Sequence, residues 1–118
     1  MTSMNRNPGL RDFTADLFAP YQGQVFRFRC PDGRGGIKDV ELELLEVTRR
    51  RPRGRPDTIR EPFALLFRSV KGETIPVVRS ALPELAHEDF AADPMFLSRV
   101  QVSIGARDDE VYYEAIFN

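Results

Sequence analysis

An alternation of apolar and polar residues runs through QVFRFRCPDGRGGIKDVELELLEV, residues 24–47. In its first half Phe26, Phe28 and Cys30 share one parity and two arginines share the other, which is typical of a strand with one buried face. PDGRGG then predicts a turn, because Asp-Gly between two alternating runs is a hairpin signal. A phosphate-binding loop is disfavoured, because a strand-like segment and not a helix follows the glycines.

The second half of this stretch, DVELELLEV, changes its alternation after Leu44. Val40, Leu42 and Leu44 have one parity, whereas the next apolar residues have the other. A β-bulge or a strand bend accounts most simply for such a change of phase. Glu41 and Glu43 lie on the polar parity. We expect them to pair across the strands with the arginines of the first strand.

Three further strands are predicted downstream. Their alternating segments are EPFALLFRS (61–69), MFLSRVQVSIG (95–105) and VYYEAIF (111–117). In the second segment Phe96, Val100, Val102 and Ile104 have the same parity. GARDDE (105–110) predicts a hairpin loop between the last two strands.

The stretch between residues 71 and 93 has no single pattern. Its TIPVV is strand-like, but Pro76 removes a ladder hydrogen bond and confines the segment to an edge or a loop. ELAHEDFAA (84–92) is rich in Glu, Leu and Ala, which favours at least one helical turn, although strand pairing can override that preference.

The N-terminal part predicts a polar lead-in and one short helix. Residues 1–9 are polar and end in Pro-Gly, so we expect a disordered lead-in. Apolar residues then recur at helical spacing, at Leu10, Phe13, Leu17 and Phe18. This spacing predicts about two and a half turns, ended by Pro20, with Asp12 and Asp16 on the exposed side.

These elements predict a mainly β fold. A chain of 118 residues has the length of one domain, and we expect a single β-rich domain over residues 10–118. Five to six antiparallel strands with short turns indicate a small barrel or a curved sheet, with the helix covering one opening.

Composition restricts the functional classes. Seventeen basic and eighteen acidic residues exclude the uniformly basic surface of a general nucleic-acid coat protein. No apolar run approaches the length of a membrane span and the N-terminus lacks a signal-peptide core, so we expect a cytoplasmic protein without a membrane partner.

The single cysteine and the single histidine predict no catalytic pair. We expect Cys30 to be an inert core residue. We expect His87 to be a surface residue whose charged form is favoured by Glu84, Glu88 and Asp89. No catalytic, cofactor-binding or metal-binding residues are predicted.

An arginine-rich stretch, RRRPRGRPDTIR (49–60), is the most unusual feature of the sequence. Its candidate partner-binding residues are Arg49, Arg50, Arg51, Arg53, Arg55 and Arg60. Two prolines and a glycine disfavour regular structure, so we expect a mobile hairpin loop. The loop is either an arm for phosphates or for an acidic protein, or a solvated tip whose charges keep a sheet edge from pairing. It lacks interleaved aromatic residues on which bases could stack.

Two motifs carry a resemblance to a known family. EPFALLFR (61–68) and YEAIFN (113–118) resemble the Glu-Pro-Phe-x-Leu-x-Phe-Arg strand and the terminal Tyr-Glu-Ala-x-Phe-Asn of a family of short bacterial proteins described as a domain of unknown function. The resemblance covers about residues 10–118. Relatives connect the two motifs through a shorter segment with Tyr-x-Leu-x-His-Pro, whereas this chain has KGETIPVVRSALPELAHEDFAADP (71–94) without that tyrosine.

The resemblance carries an expectation about function. Similar proteins are encoded beside phage-tail-collar-like proteins, which implies an accessory or assembly role and supplies no catalytic residue, cofactor or substrate. We therefore expect a non-enzymatic module that binds another protein. The alternative is binding of nucleic acid or an acidic ligand through the arginine-rich loop 49–60. The oligomeric state is open.

Overall fold

Six antiparallel strands form one sheet in the computed structural model, which describes residues 8–9, 12–49, 61–76, 82–101 and 110–117. The strands are β1 (Val25–Pro31), β2 (Ile37–Arg49), β3 (Phe63–Ser69), β4 (Glu84–Leu85), β5 (Ser98–Val100) and β6 (Tyr112–Phe117). Their order in the sheet is β4-β1-β2-β3-β6-β5. The predicted mainly β fold is confirmed in its curved-sheet form.

The hairpin predicted at residues 24–47 is confirmed. β1 pairs with β2 so that Phe28 lies opposite Val40, and the even-numbered residues of β1 are buried while Arg27 and Arg29 are exposed. Asp32 closes the turn, because its Oδ1 accepts hydrogen bonds from the backbone N–H groups of Arg34 (2.7 Å) and Gly36 (3.0 Å).

The predicted change of parity in β2 is also confirmed. The β2–β3 register shifts between Leu44 and Glu46, so that Leu44 faces Phe67 and Glu46 faces Leu66. Leu45 is the extra residue of a bulge, and a bulge increases the local bend and twist of a sheet.

Curvature brings the two edges of the sheet near one another. The edges of a flat six-stranded sheet would lie about 24 Å apart, at about 4.8 Å per strand pair. Yet Pro94 forms a bridge with Glu84 of β4, and Ser98 already pairs with Glu114 of β6. Four residues span at most about 14 Å, so the sheet must be strongly curved. We call residues 94–98, which cross between β4 and β5, the seam. No strand ladder joins β4 to β5 within the described residues, and the sheet is not closed.

The helical part is shorter than the sequence spacing predicts. The helix α1 covers only Ala15–Phe18, a 3-10 turn follows at Ala19–Tyr21, and Pro20 lies inside that turn. Thr14 caps α1 by accepting a hydrogen bond from the N–H of Leu17 (3.1 Å). The spacing predicts burial of Phe13 and Leu17 and exposure of Asp12 and Asp16. Phe13 is buried and both aspartates are exposed, whereas Leu17 is only partly buried. Leu10 lies outside the described residues.

Phe13 and Phe18 explain why the helix is shorter than the apolar spacing predicts. Phe13 precedes the cap and its ring lies 4.9 Å from that of Phe18, the fourth helical residue. This contact is a hydrophobic staple, which places an apolar residue at helical spacing but outside the helix. Phe18 continues into the core, where its ring stacks on Phe90 at 5.0 Å.

The segment 84–92 contains a short strand and a turn and no helix. Leu85 pairs with Phe28 and Glu84 with Arg29. A turn follows, closed by a hydrogen bond from the N–H of Phe90 to the carbonyl of His87 (3.1 Å). Pairing with β1 thus overrides the helical preference of the segment.

Two residues of the predicted lead-in are described. The carbonyl of Pro8 accepts a hydrogen bond from the N–H of Ala91 (2.9 Å), and the N–H of Gly9 donates to Asp12 Oδ2 (3.3 Å). The hairpin loop predicted at GARDDE lies outside the described residues, apart from Glu110.

Candidate interaction surface

Arg49 is the only residue of the arginine-rich loop that lies within the described part of the chain. It ends β2, and its guanidinium forms ion pairs with Asp16 of α1 and with Glu61 (3.1 Å) just before β3. Hydrogen bonds to these two carboxylates raise the pKa of Arg49. Arg49 therefore ties α1 to the base of the β2–β3 connection. The other candidates, Arg50, Arg51, Arg53, Arg55 and Arg60, lie outside the described residues.

The outer face of the sheet carries ion pairs whose partners differ from those expected. Arg27 lies opposite Glu41 in the register, but the carboxylate of Glu41 pairs with Lys71 (3.4 Å). Glu43 pairs with Arg68 of β3 (2.6 Å). Asp39, and neither glutamate, pairs with Arg29 (3.4 Å). The antiparallel register accounts for two of these ion pairs, because it aligns Arg29 with Asp39 and Glu43 with Arg68. Glu41 pairs with Lys71 although the register aligns it with Arg27.

Cys30 and His87 are far apart, because Cys30 lies near the end of β1 whereas His87 lies beside the start of that strand. Leu85 faces Phe28, so the antiparallel register brings His87 beside Phe26, and the ring centroids of these two residues are 4.7 Å apart. Cys30 is four residues further along the strand, which corresponds to about 13 Å. It is buried, and desolvation raises the pKa of its thiol. A nucleophile and its general base must lie within hydrogen-bond reach, and these two residues do not.

His87 is half-buried, which corrects the prediction of a surface histidine. Its ring packs against Tyr21, Phe26 and Phe90, and its Nδ1 accepts a hydrogen bond from the N–H of Asp89 (3.0 Å). The hydroxyl of Tyr21 donates to the Asp89 carboxylate (3.0 Å), and this hydrogen bond is the main reason that the pKa of Tyr21 is raised. The His87–Phe90 turn is thereby fastened over the core.

Two open depressions of about 570 and 610 Å³ lie on the outer face of the sheet. Arg27, Glu41 and Glu88 line the first, and Arg68, Lys71 and two glutamates line the second. Both depressions mix cations with carboxylates. Neither presents the concentrated positive charge that a phosphate group requires.

The seam exposes an aromatic side chain. Of the nine phenylalanines in the chain, eight are at most 8% exposed, whereas Phe96 is 68% exposed. Its neighbour Met95 is buried in the core, and β5 begins only at Ser98. The sequence pattern puts Phe96 in one apolar row with Val100, Val102 and Ile104. The structure places Phe96 and Val100 on the outer side, whereas Val102 and Ile104 lie outside the described residues.

Two further apolar side chains share the outer side of the seam with Phe96. Continuing the Glu84–Pro94 bridge by two residues puts Leu82 opposite Phe96, in agreement with a hydrogen bond from the N–H of Met95 to the carbonyl of Pro83 (2.8 Å). On the other side the β5–β6 ladder ends where Ser98 faces Glu114, and Phe96 and Ile116 are the next residues of the outer parity beyond this pair. Leu82 is 44% and Ile116 49% exposed. We call Leu82, Phe96 and Ile116 the seam patch.

Sequence reasoning missed the seam patch, although two signals pointed to it. Met95, Phe96 and Leu97 are three consecutive apolar residues, and an extended chain directs only alternate side chains to one face. Ile116 has the same parity as Glu114 in β6 and thus lies on its polar face. The fold is needed to bring the two positions to one place.

The described residues contain neither a metal-binding cluster nor a membrane-spanning helix. No group of three His, Cys, Asp or Glu side chains is arranged to hold a metal ion there. The helices in the described ranges are all too short or too polar to traverse a bilayer.

Comparison with known proteins shows the family of the chain. Residues 13–117 match the family model described as Domain of unknown function (DUF6916), and the chain belongs to this family. The match spans α1 and all six strands. No curated protein matched the chain, and no solved structure did.

Proposed function

We propose that this DUF6916 protein is a non-enzymatic accessory or assembly module that binds another protein through the seam patch. The observation that carries the proposal is the exposure of Phe96 in a chain that buries its eight other phenylalanines. Single exposed apolar residues are common on protein surfaces. Phe96 differs because Leu82 and Ile116 extend it into a row across neighbouring strands.

The energetics favour this surface as a binding anchor. Covering a large apolar side chain that is exposed in the free protein contributes on the order of 2 kcal/mol. Interfaces concentrate their binding energy in a few such residues near the centre, surrounded by polar groups that exclude water. The seam patch has this arrangement, because two polar residues border it: Glu84 lies two residues after Leu82, and Ser98 lies two residues after Phe96.

The proposal includes a biological context that the sequence motifs imply. A protein similar to those encoded beside phage-tail-collar-like proteins would act in the assembly of a tail-like particle, inside the bacterial cytoplasm. An exposed apolar row on a small domain suits that role, because an assembly factor needs a surface that a partner covers.

The test begins with identification of the partner. A photoreactive phenylalanine analogue at position 96 is irradiated in the native cell, and the crosslinked protein is identified by mass spectrometry. That protein is then purified, and its affinity for the wild type and for Phe96→Ala is measured by calorimetry. We expect Phe96→Ala to weaken binding by at least about tenfold, as removal of a central anchor does.

Val70→Ala is the matched control. Val70 is 49% exposed directly after β3, and it lies six residues, or about 20 Å, beyond Ala64, the β3 residue opposite Ile116. Its truncation therefore removes exposed apolar surface without touching the patch. Both variants are expected to keep the melting temperature of the wild type, because exposed side chains contribute little to stability. Equal affinity of Phe96→Ala and Val70→Ala for the partner would refute the proposal.

A second candidate function rests on the arginine-rich loop 49–60, in which five arginines follow Arg49. Clustered guanidinium groups bind phosphates or carboxylates, so the loop favours nucleic acid or an acidic ligand. Arg49 is excluded from this role in our proposal, because Asp16 and Glu61 already engage it. The loop and the seam patch are tested separately.

A further inference from the structure

Carboxylates on the strands fall into two groups according to their partners. Those of β2 are all engaged by a neighbour within the sheet or beside it. The engaged groups are Asp39 with Arg29, Glu41 with Lys71, Glu43 with Arg68, and Glu46 with the hydroxyl of Thr48. Glu84 of β4 and Glu114 of β6 form no ion pair within the described part of the chain.

The two unpaired carboxylates flank the seam patch. Glu84 faces Pro94 at the start of the seam, two residues before Phe96. Glu114 faces Ser98, two residues after Phe96. In an extended chain, positions two residues apart lie on the same side, so both glutamates share the outer side with Phe96.

Among the residues that the structure describes, two cations lie near this surface. Arg29 is opposite Glu84 in the register, but its guanidinium is engaged by Asp39 (3.4 Å). Arg99 lies between Ser98 and Val100, and its Cβ is directed to the other side of β5. Within the described ranges, the outer side of the seam is therefore an apolar row bordered by two carboxylates that form no ion pair.

We propose that the occupant of the seam patch is a protein segment that presents an apolar side chain flanked by lysine or arginine. This inference rests on the proposed function and adds the chemistry of the partner. Charge complementarity selects such a segment, because opposite charges at the rim of an interface steer association and suppress wrong partners. A phosphate backbone or an anionic lipid surface would be repelled by Glu84 and Glu114.

The experiment selects partners without assuming their sequence. A library of random twelve-residue peptides, displayed on filamentous phage, is panned against the immobilised full-length protein and in parallel against Phe96→Ala. Peptides enriched only on the wild type are expected to carry a central apolar residue with Lys or Arg on either side. Synthetic copies of the most enriched peptide are then titrated by fluorescence anisotropy.

Charge variants test the role of the two glutamates. Glu84→Gln and Glu114→Gln should each lower the affinity for the synthetic peptide by about two- to fivefold, since exposed ion pairs contribute modestly to binding. The double variant should also lose most of the salt dependence of binding. Glu46→Gln is the matched control, because Glu46 lies on the outer face of β2 and is bonded to Thr48; it should leave the affinity unchanged.

The outcomes separate the inference from the proposed function. Enriched peptides that depend on Phe96 but are neutral or acidic would overturn the inference and leave the proposed function intact. An absence of peptides that depend on Phe96 would count against both. Self-association that requires Phe96, measured by analytical ultracentrifugation, would assign the patch to a second copy of this chain and overturn the inference.

Discussion

Phe13 stabilises the molecule from outside any regular element. Its ring contacts those of Phe18, Phe90 and Phe117, so it joins α1, the His87–Phe90 turn and β6. Phe13→Ala should lower the free energy of unfolding by about 3–5 kcal/mol, as truncation of a fully buried phenylalanine does. Urea denaturation followed by circular dichroism measures this loss.

Asp16→Ala is the control at the same end of the fold. The carboxylate of Asp16 is exposed, and its ion pair with Arg49 lies in solvent, where screening leaves it little net stabilising effect. We expect a much smaller loss than for Phe13→Ala. Losses of equal size would contradict the staple between Phe13 and Phe18 as the main anchor of α1.

Asp32 makes the stability of the β1–β2 hairpin depend on pH. Hydrogen bonds from the backbone of Arg34 and Gly36 lower the pKa of its carboxyl below the usual value. The unfolded chain binds this proton near pH 3.9, whereas the folded chain binds it only at lower pH. The stabilisation is therefore present above the unfolded pKa and is lost as the pH falls through the folded pKa.

The variant Asp32→Asn tests this linkage. It keeps an acceptor oxygen at the same place but removes the titration, so its free energy of unfolding should fall less steeply than that of the wild type as the pH is lowered below about 3.9. Urea denaturation over a series of acidic buffers provides the comparison. Parallel curves for the two proteins would show that Asp32 does not contribute to the acid sensitivity.

At the scale of elements, β6 is an interior strand. It pairs with β3 along its whole length and with β5 on its other side. A chain that ends at Tyr112 would lose these ladders together with the buried Tyr113, Ala115 and Phe117. We expect it not to unfold cooperatively, because the loss exceeds the roughly 5–15 kcal/mol that a typical domain has in total.

Differential scanning calorimetry of the shortened chain gives the result directly. A cooperative transition within a few degrees of the full-length protein would show that β6 is dispensable. Substitution of the exposed Ile116 by Thr serves as a control, because it changes β6 without removing a core contact and should preserve the transition.

The elements differ in how far the sequence alone predicts them. The bulge after Leu44 was predictable, because the apolar row of a half-buried strand can change parity only where a residue is inserted or the strand bends. The length of α1 was not, since the staple formed by Phe13 imitates helical spacing. The strand at Glu84 was not either, because it depends on pairing with Arg29, more than fifty residues earlier in the chain.

The candidate site was less predictable than the fold. Parity shows that Phe96 and Val100 share a face, but both faces of a strand are equivalent until the neighbouring strands are known. The seam patch joins residues 82, 96 and 116, which only the curvature of the sheet brings together. The arginine-rich loop is visible in the sequence, yet within it only Arg49 has a described structural role.

Across the whole molecule, the charges are segregated. The loop 49–60 contains six of the seventeen basic residues and a single acid, so the other 106 residues carry eleven basic and seventeen acidic groups. The body of the protein is thus acidic, and in the part of the chain that the structure describes Glu84 and Glu114 border the seam without an ion pair. A cationic partner and an anionic one would consequently bind different parts of this chain.

An anionic partner would bind the arginine-rich loop 49–60. If the loop binds nucleic acid, replacing Arg50, Arg51, Arg53 and Arg55 with Gln should weaken binding and reduce the salt dependence by about one unit of logarithmic slope per lost phosphate contact. Arg49 is retained, because it holds α1 to β2 through Asp16. Binding to a labelled single-stranded oligonucleotide, measured by anisotropy at several salt concentrations, provides both quantities.

The matched control removes four positive charges elsewhere, at Arg27, Arg34, Arg79 and Arg99. If both sets of substitutions lower the affinity for the oligonucleotide equally, the effect is due to net charge. Micromolar binding that survives the loop replacement would refute the hypothesis that the loop binds phosphates.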